Sequence, residues 1–264
     1  MHPLLRCCLT ALLFAGCACA VGHRALGESI TLYDDTLGTL PGDQPNMIYF
    51  GLGVATQAVV AEGVQFDSDQ TAQAGFTPEP SIMPVLDPSM GFSVDFELQV
   101  WNETHLSDDR AGFSLILLGD DNRGVELGYW ANEIWAQSDT PLFTHAEGVA
   151  FDTTAALTDY RLQVYGDSYQ LRADDILILS GPTRDYTPFT GLIDPYEVPN
   201  YLFLGDNTTR ASAGVILGEV RIQDCCPEPA SNFPAMLSIL CGFLLQRRTA
   251  ETRRRIRGSY CWRS

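Results

Sequence analysis

Acidic side chains that could do chemistry are scattered along the chain. Asp95 and Glu97 lie two residues apart in a stretch that alternates polar and apolar residues, so both point to one face of a strand. Two carboxyl groups on one face could act as an acid–base pair, but the solvated face of a half-buried strand also explains them, and we favour that interpretation. Glu126 and Glu133 stand alone, and we expect them to face solvent.

The four histidines, His2, His23, His105 and His145, suggest no catalytic group. We expect His105 and His145 to lie in surface loops. The sequence contains no G-x-S-x-G, H-E-x-x-H, P-loop or G-x-G-x-x-G motif. No cysteine lies between residues 20 and 224, which excludes a cysteine nucleophile there. The sequence therefore predicts a protein that is not an enzyme.

Three acidic clusters, which we expect in loops, could supply oxygen ligands to calcium, although calcium takes about six to eight of them. Their members are Asp67, Asp69, Asp120, Asp121, Asn122, Asp206 and Asn207. No EF-hand spacing is present, and turn formation explains the same residues. The prediction is therefore a protein without a cofactor, with calcium as the alternative.

Four aromatic residues could form a platform for sugar rings: Trp101, Tyr129, Trp130 and Trp135. Tyr129 and Trp130 are adjacent on a predicted strand and so point to opposite faces. At least one of them should be in the core, and we favour core packing for aromatics in strands generally.

Charge divides the chain into a body and a tail. The 264 residues carry a net charge of −17, yet residues 21–224 hold 31 acidic residues and only eight arginines, a net of −23. Residues 230–264 carry a net charge of +6, and the chain has no lysine. A body this acidic is a poor partner for nucleic acid, which we exclude.

The first 20 residues are typical of a secretory signal peptide. Arg6 precedes a short apolar run, and Ala18-Cys19-Ala20 is an A-x-A cleavage site. We predict a signal helix over residues 1–20, cleavage after Ala20 and recognition by the export machinery. Lipidation at Cys17 is the alternative.

Residues 225–264 combine a short motif, an apolar segment and an arginine cluster. Pro227-Glu228-Pro229 precedes the apolar run from Phe233 to Leu245, and Arg247 and Arg248 follow it. This tail resembles the PEP-CTERM sorting signal, although here the chain continues to a second arginine cluster. The resemblance implies that an exosortase-type enzyme recognises the Pro-Glu-Pro motif and removes the tail.

The tail sets the expected location of the protein. We predict a short hydrophobic helix within residues 225–248, held in the inner membrane before processing, and a basic cytoplasmic tail at residues 249–264. The body would lie outside the inner membrane, at the cell surface or in the extracellular matrix. A plain C-terminal anchor is the alternative.

The body, residues 21–224, is predicted to be one all-β domain. Phe92 to Val100 alternate apolar and polar residues, which indicates a half-buried strand. Further short strands follow between turn residues such as Gly166-Asp167 and Gly205-Asp206-Asn207. Many short strands at close spacing are typical of a sandwich or barrel.

Two stretches, Asp159–Ser180 and Asn200–Ile222, read as strands joined by tight turns. This series resembles the laminin-G-like members of the concanavalin A-like lectin/glucanase superfamily. The resemblance implies an antiparallel jelly-roll sandwich. Members that cut glycans carry two carboxylates on one strand in an E-x-D-x-E or E-x-D-x-x-E pattern, and this pattern is absent here.

The resulting hypothesis is an exported, envelope-associated and non-catalytic β-sandwich that serves adhesion, matrix structure or glycan contact. The alternatives are a divergent glycan hydrolase of the same fold and a purely structural surface-layer component.

Overall fold

The computed structural model describes residues 27–224, and these residues form two antiparallel sheets packed face to face. The predicted all-β jelly-roll sandwich is therefore confirmed. The predicted signal helix and the predicted hydrophobic helix of the tail lie outside the described residues, as do the sites assigned to them. Within residues 27–224, no helix is long and apolar enough to cross a bilayer.

The first sheet, which we call the back sheet, has the order β13-β12-β11-β6-β16-β4-β3, and β1 also pairs with β16. Its strands are β1 (Ser29–Tyr33), β3 (Ala55–Val60), β4 (Gly63–Ser68), β6 (Phe92–His105), β11 (Thr158–Tyr165), β12 (Ser168–Ala173), β13 (Ile176–Pro182) and β16 (Ala211–Asp224).

The second sheet, the front sheet, has the order β10-β9-β8-β7-β15-β5-β2, and the short β14 pairs with β8. Its strands are β2 (Met47–Leu52), β5 (Gln73–Pro78), β7 (Ser114–Leu118), β8 (Arg123–Tyr129), β9 (Glu133–Asp139), β10 (Leu142–Ala150), β14 (Arg184–Asp185) and β15 (Tyr201–Asp206). Sheet neighbours such as β7 and β15 are far apart in the chain, so the fold brings distant segments together.

Alternating side chains build the core between the sheets. Phe92, Val94 and Phe96 of β6 are buried there, whereas Asp95 and Glu97 lie on the outer face. The solvated-face interpretation of these two carboxyl groups therefore agrees with the structure. Asp95 accepts hydrogen bonds from Arg161 of the neighbouring strand, at 2.5 Å and 3.1 Å.

The central strands β7 and β8 of the front sheet are buried on both faces. On β8, Val125 and Leu127 belong to the core between the sheets, while Glu126 points to the outer face and is only 1% exposed. The expectation that Glu126 faces solvent is wrong. Glu126 is buried because the segment 186–200 packs over the outer face of the front sheet, where Tyr186 and Tyr196 contact its side chains.

Three placements differ from the expectations drawn from the sequence. The first five strands, before residue 91, carry no clear sequence signal and are not among the predicted strands. The histidines were expected in loops, but His105 ends β6 and His145 lies within β10. Asp67 lies within β4 and Asp206 ends β15, so neither belongs to a loop.

Candidate functional site

A row of side chains crosses the outer face of the front sheet at one level. Phe203 pairs with Ile116, and Ile116 pairs with Glu126. The row continues to Gln137, because the adjacent residues Leu127 and Ala136 are paired, and Gln137 itself pairs with His145. The fold thus places two apolar and three polar side chains from five neighbouring strands side by side.

Aromatic side chains cover this row. Phe143 of β10 lies near Phe189 and Tyr196 of the covering segment, with ring centroids 5.2 Å apart in each case. Tyr186 joins the same cluster, and its hydroxyl donates to the carbonyl of Gln137 at 2.8 Å. The covering segment is therefore fixed to the sheet by both apolar packing and a buried hydrogen bond.

A cleft of about 160 Å³ lies between the row and its cover. Its polar lining consists of Gln73, Arg110, Glu126, Gln137, Asp206 and Asn207. Its aromatic lining consists of Phe50, Phe143, Phe189, Tyr196, Tyr201 and Phe203. Concave, mostly apolar surfaces with a few convergent polar groups are typical of ligand sites.

Glu126 is the carboxyl group at the floor of the cleft. Its Oε2 accepts a hydrogen bond from the Tyr196 hydroxyl at 2.5 Å, and its Oε1 accepts one from Asn207 Nδ2 at 2.8 Å. Complete burial raises the pKa of Glu126, and these two hydrogen bonds and the charge of Arg110 oppose that shift. The net shift is upward, which favours the protonated carboxylic acid.

Asp206 is also among the residues that line the cleft, but its carboxyl group is directed toward the back sheet. It is fully buried, and burial raises its pKa to about 8. Its Oδ2 accepts from the Ser68 hydroxyl at 2.6 Å, and its Oδ1 accepts from the Thr208 amide at 2.9 Å. Since Ser68 belongs to the back sheet, Asp206 also ties the two sheets together at this end of the cleft.

Arg110 brings positive charge to the cleft and holds Phe143. Its Nη1 donates to the carbonyls of Asp109 and Phe143, at 2.6 Å and 2.8 Å, and its guanidinium lies 5.5 Å from the centre of the Phe143 ring. Phe143 has a φ of 56°, a conformation that bulky residues rarely adopt. The contacts of Arg110 help to keep Phe143 in this conformation.

This arrangement can do acid–base chemistry. Burial raises the pKa of Glu126, and a carboxyl group with a raised pKa is suited to donate a proton to a leaving oxygen.

The predicted calcium ligands are not gathered into one site. Asp69 Oδ1 accepts from the amide and hydroxyl of Thr71, and Asp121 Oδ1 accepts from the Arg123 amide, so both stabilise their own turns. In the described part of the chain, no group of three or more His, Cys, Asp or Glu side chains is placed to hold a metal ion. Calcium binding stays a prediction.

None of the four predicted sugar-binding aromatics lines the cleft. Tyr129 lies in the core between the sheets, in agreement with core packing. Trp130 and Trp135 form a separate buried cluster, and His145 stacks on Trp135 with a centroid distance of 4.3 Å. Trp101 is 47% exposed and lies on β6 of the back sheet.

The predicted processing sites lie outside residues 27–224. These are the signal-cleavage residues Ala18 and Ala20 and the sorting residues Pro227, Glu228, Pro229, Arg247 and Arg248. Their roles stay predictions.

No protein-family model and no curated protein matches the chain. Among solved structures, it is similar to the Crh5 transglycosylase in complex with NAG, with 12% identity over 76% of this chain and 86% of that one and a TM-score of 0.47. It is also similar to the family 7 alginate lyase A1-II′, with 12% identity over 66% and 83% and a TM-score of 0.42. Domain 4 of AbnA, a GH43 extracellular arabinanase from Geobacillus stearothermophilus, shows 15% identity over 76% and 92% and a TM-score of 0.42.

The likeness to these structures concerns the β-sandwich fold alone, and the sorting signal stays a prediction. The comparisons with solved structures, which include a transglycosylase and a lyase, contradict the prediction that this protein is not an enzyme; they do not assign an activity to this chain. The reason for the error is visible in the fold. Spacing along the chain singles out carboxyl groups that share one strand, such as Asp95 and Glu97, whereas Glu126 is the only carboxyl residue of β8.

One sequence signal could have identified Glu126. It stands between Val125 and Leu127, and the residues from Gly124 to Trp130 other than Glu126 are apolar, aromatic or glycine. A continuous apolar run indicates a strand buried on both faces, and a carboxyl group in such a strand is costly unless it has partners. Gln137 and Asp206 carry no comparable local signal.

Proposed function

We propose that the cleft of the front sheet binds a glycan chain and promotes its cleavage, with Glu126 as the proton donor to the leaving oxygen. The observation that carries this proposal is a buried carboxyl group with a raised pKa at the floor of an aromatic cleft. Aromatic faces suit the apolar faces of sugar rings, and a protonated carboxyl group suits a glycosidic oxygen.

Substrate binding would replace one of the hydrogen bonds that Glu126 makes within the protein. Both of its oxygens already accept hydrogen bonds, from Tyr196 and Asn207. A glycosidic oxygen that approaches Glu126 would therefore displace the Tyr196 hydroxyl from Oε2.

The experiment is a cleavage assay on a panel of polysaccharides, with the release of new chain ends as the readout. We expect wild-type protein to act on at least one member of the panel and Glu126→Gln to lose at least 100-fold of that activity, since general acid catalysis contributes about 10²- to 10⁴-fold. Glu97→Gln is the matched control, because Glu97 also has a pKa raised by burial but lies on the outer face of the back sheet. Glycan binding without any cleavage, or equal activity of the two variants, would contradict the proposal.

We further propose that this activity is located outside the inner membrane, through the signal cleaved after Ala20 and the tail that begins near Pro227. Intact-mass spectrometry of the protein from its native envelope and medium tests this. A fragment that starts at Val21 and ends near residues 224–229 supports both cuts, whereas a mass that retains Phe233 to Ser264 rules out removal of the tail.

A further inference from the structure

Gln137 is a polar side chain in the cleft that the proposed chemistry does not use. It follows Glu126 in the row across the sheet, lines the cleft and is only 2% exposed. Its Nε2 donates to the carbonyl of Asp109 at 3.1 Å. The Asp109 carbonyl oxygen can only accept a hydrogen bond, and only the NH2 group of the Gln137 amide can donate one. The bond therefore fixes which end of the amide is nitrogen and which is oxygen.

The amide oxygen is therefore left as the free end of the side chain. Gln137 Oε1 is buried and has no hydrogen-bond partner within residues 27–224. A buried acceptor without a partner is unfavourable, so a group that donates to it on binding gains free energy. Oε1 can only accept a hydrogen bond and cannot pair with a carboxylate, which also only accepts.

We infer that Gln137 selects a neutral sugar at the subsite next to Glu126, by accepting a hydrogen bond from a sugar hydroxyl at Oε1. This inference rests on the proposed function, since it names the substrate class of the same cleft. A uronic acid whose carboxylate occupied this place would meet the amide oxygen as a second acceptor.

The rest of the cleft agrees with a neutral ligand. Arg110 is the only basic side chain in the described lining of the cleft, and its Nη1 already donates to two backbone carbonyls. The net charge of −23 on residues 21–224 opposes the approach of a polyanion at long range. Local hydrogen bonding and overall charge thus favour the same class of substrate.

The test compares matched probes. Cello-, laminari- and manno-oligosaccharides of six sugars are titrated by calorimetry beside the same oligosaccharides with their C6 hydroxyls oxidised to carboxylates. We expect the wild-type protein to bind at least one neutral probe at least 10-fold more tightly than its oxidised counterpart. Equal or tighter binding of the oxidised probes would overturn the inference.

Two variants separate Gln137 from a general effect on folding. Gln137→Met removes the acceptor and should weaken binding of the neutral probe about 3- to 10-fold, the usual contribution of one hydrogen bond. Gln137→Glu keeps an acceptor oxygen and, while protonated in this buried position, a donor toward Asp109, so at pH 5 it should restore most of the affinity. Rescue by glutamate would not occur if Met acted only by disturbing the fold.

Gln170→Met is the matched control, because Gln170 Oε1 is also buried without a partner but lies on β12 of the back sheet. Its affinity should equal that of the wild type. If the neutral probe is cleaved in a Glu126-dependent way but Gln137→Met binds it as the wild type does, the inference fails and the proposed function stands. If no probe binds and the polysaccharide panel shows no cleavage, the proposed function itself fails.

Discussion

Asp206 should make the stability of the protein depend on pH in an unusual direction. Burial raises the pKa of Asp206 from 3.8 to about 8 in the folded protein, whereas in the unfolded chain the carboxyl group titrates near its ordinary value. Between these two values the folded state holds a proton that the unfolded state has lost. The stabilisation is fully present below about pH 4 and is lost as the pH rises toward 8.

The magnitude follows from the size of the shift. Each pKa unit corresponds to about 1.4 kcal/mol, so two units of pH within this window change the free energy of unfolding by about 3 kcal/mol. Asp206→Asn removes the titration and keeps a neutral side chain that can bond to Ser68 and to the Thr208 amide. Relative to the wild type, this variant should therefore gain about 3 kcal/mol in free energy of unfolding from pH 5 to pH 7.

The assay is urea unfolding followed by tryptophan fluorescence at pH 5, 6, 7 and 8. Asp185→Asn is the control, because hydrogen bonds from Thr187 lower the pKa of Asp185 and so confine its effect to more acidic pH. The difference between this control and the wild type should not change across the range. The reasoning is refuted if the difference between Asp206→Asn and the wild type also stays constant from pH 5 to pH 8.

Two further substitutions test the cover and the floor of the cleft. Tyr196→Phe removes a hydrogen bond that lowers the pKa of Glu126, so this pKa should rise further, as followed by carboxyl infrared titration, and the free energy of unfolding should fall by about 1–3 kcal/mol. Gly205→Ala should destabilise the protein more than Gly38→Ala in urea unfolding. Both glycines have positive φ, but a Cβ at Gly205 would lie 2.4 Å from the Ala74 carbonyl oxygen, whereas one at Gly38 would meet nothing within 4 Å.

The fold was predictable from the sequence where the alternation of residues is strict. β6 alternates over Phe92 to Val100 because one of its faces lies in the core and the other in solvent. Strands such as β3, Ala55–Val60, mix small, polar and apolar residues without a clear period, and they become strands through pairing with their neighbours. Their structure depends on tertiary contacts, which no local pattern contains.

The candidate site could not be found from spacing along the chain. Glu126 and Gln137 lie on the consecutive strands β8 and β9, but the residues that cover them and complete the cleft, such as Tyr196 and Asn207, come from segments much further along the chain. A search for closely spaced carboxyl groups instead finds Asp95 and Glu97, which lie on the other sheet. Asp95 and Glu97 belong to one sheet and Glu126 to the other, and the spacing of residues along the chain does not reveal this difference.

The net charge of residues 21–224 differs from the charge within the cleft. Counting every carboxyl group as ionised gives −23 for residues 21–224, yet burial raises the pKa of Glu126 in the cleft and of Asp206 beside it. The cleft is therefore less negative than the surface around it. Because surface charges are screened over about 8 Å at physiological salt, they influence the approach of a ligand more than its final pose. Once a glycan lies in the cleft, discrimination depends on single groups such as Gln137 Oε1.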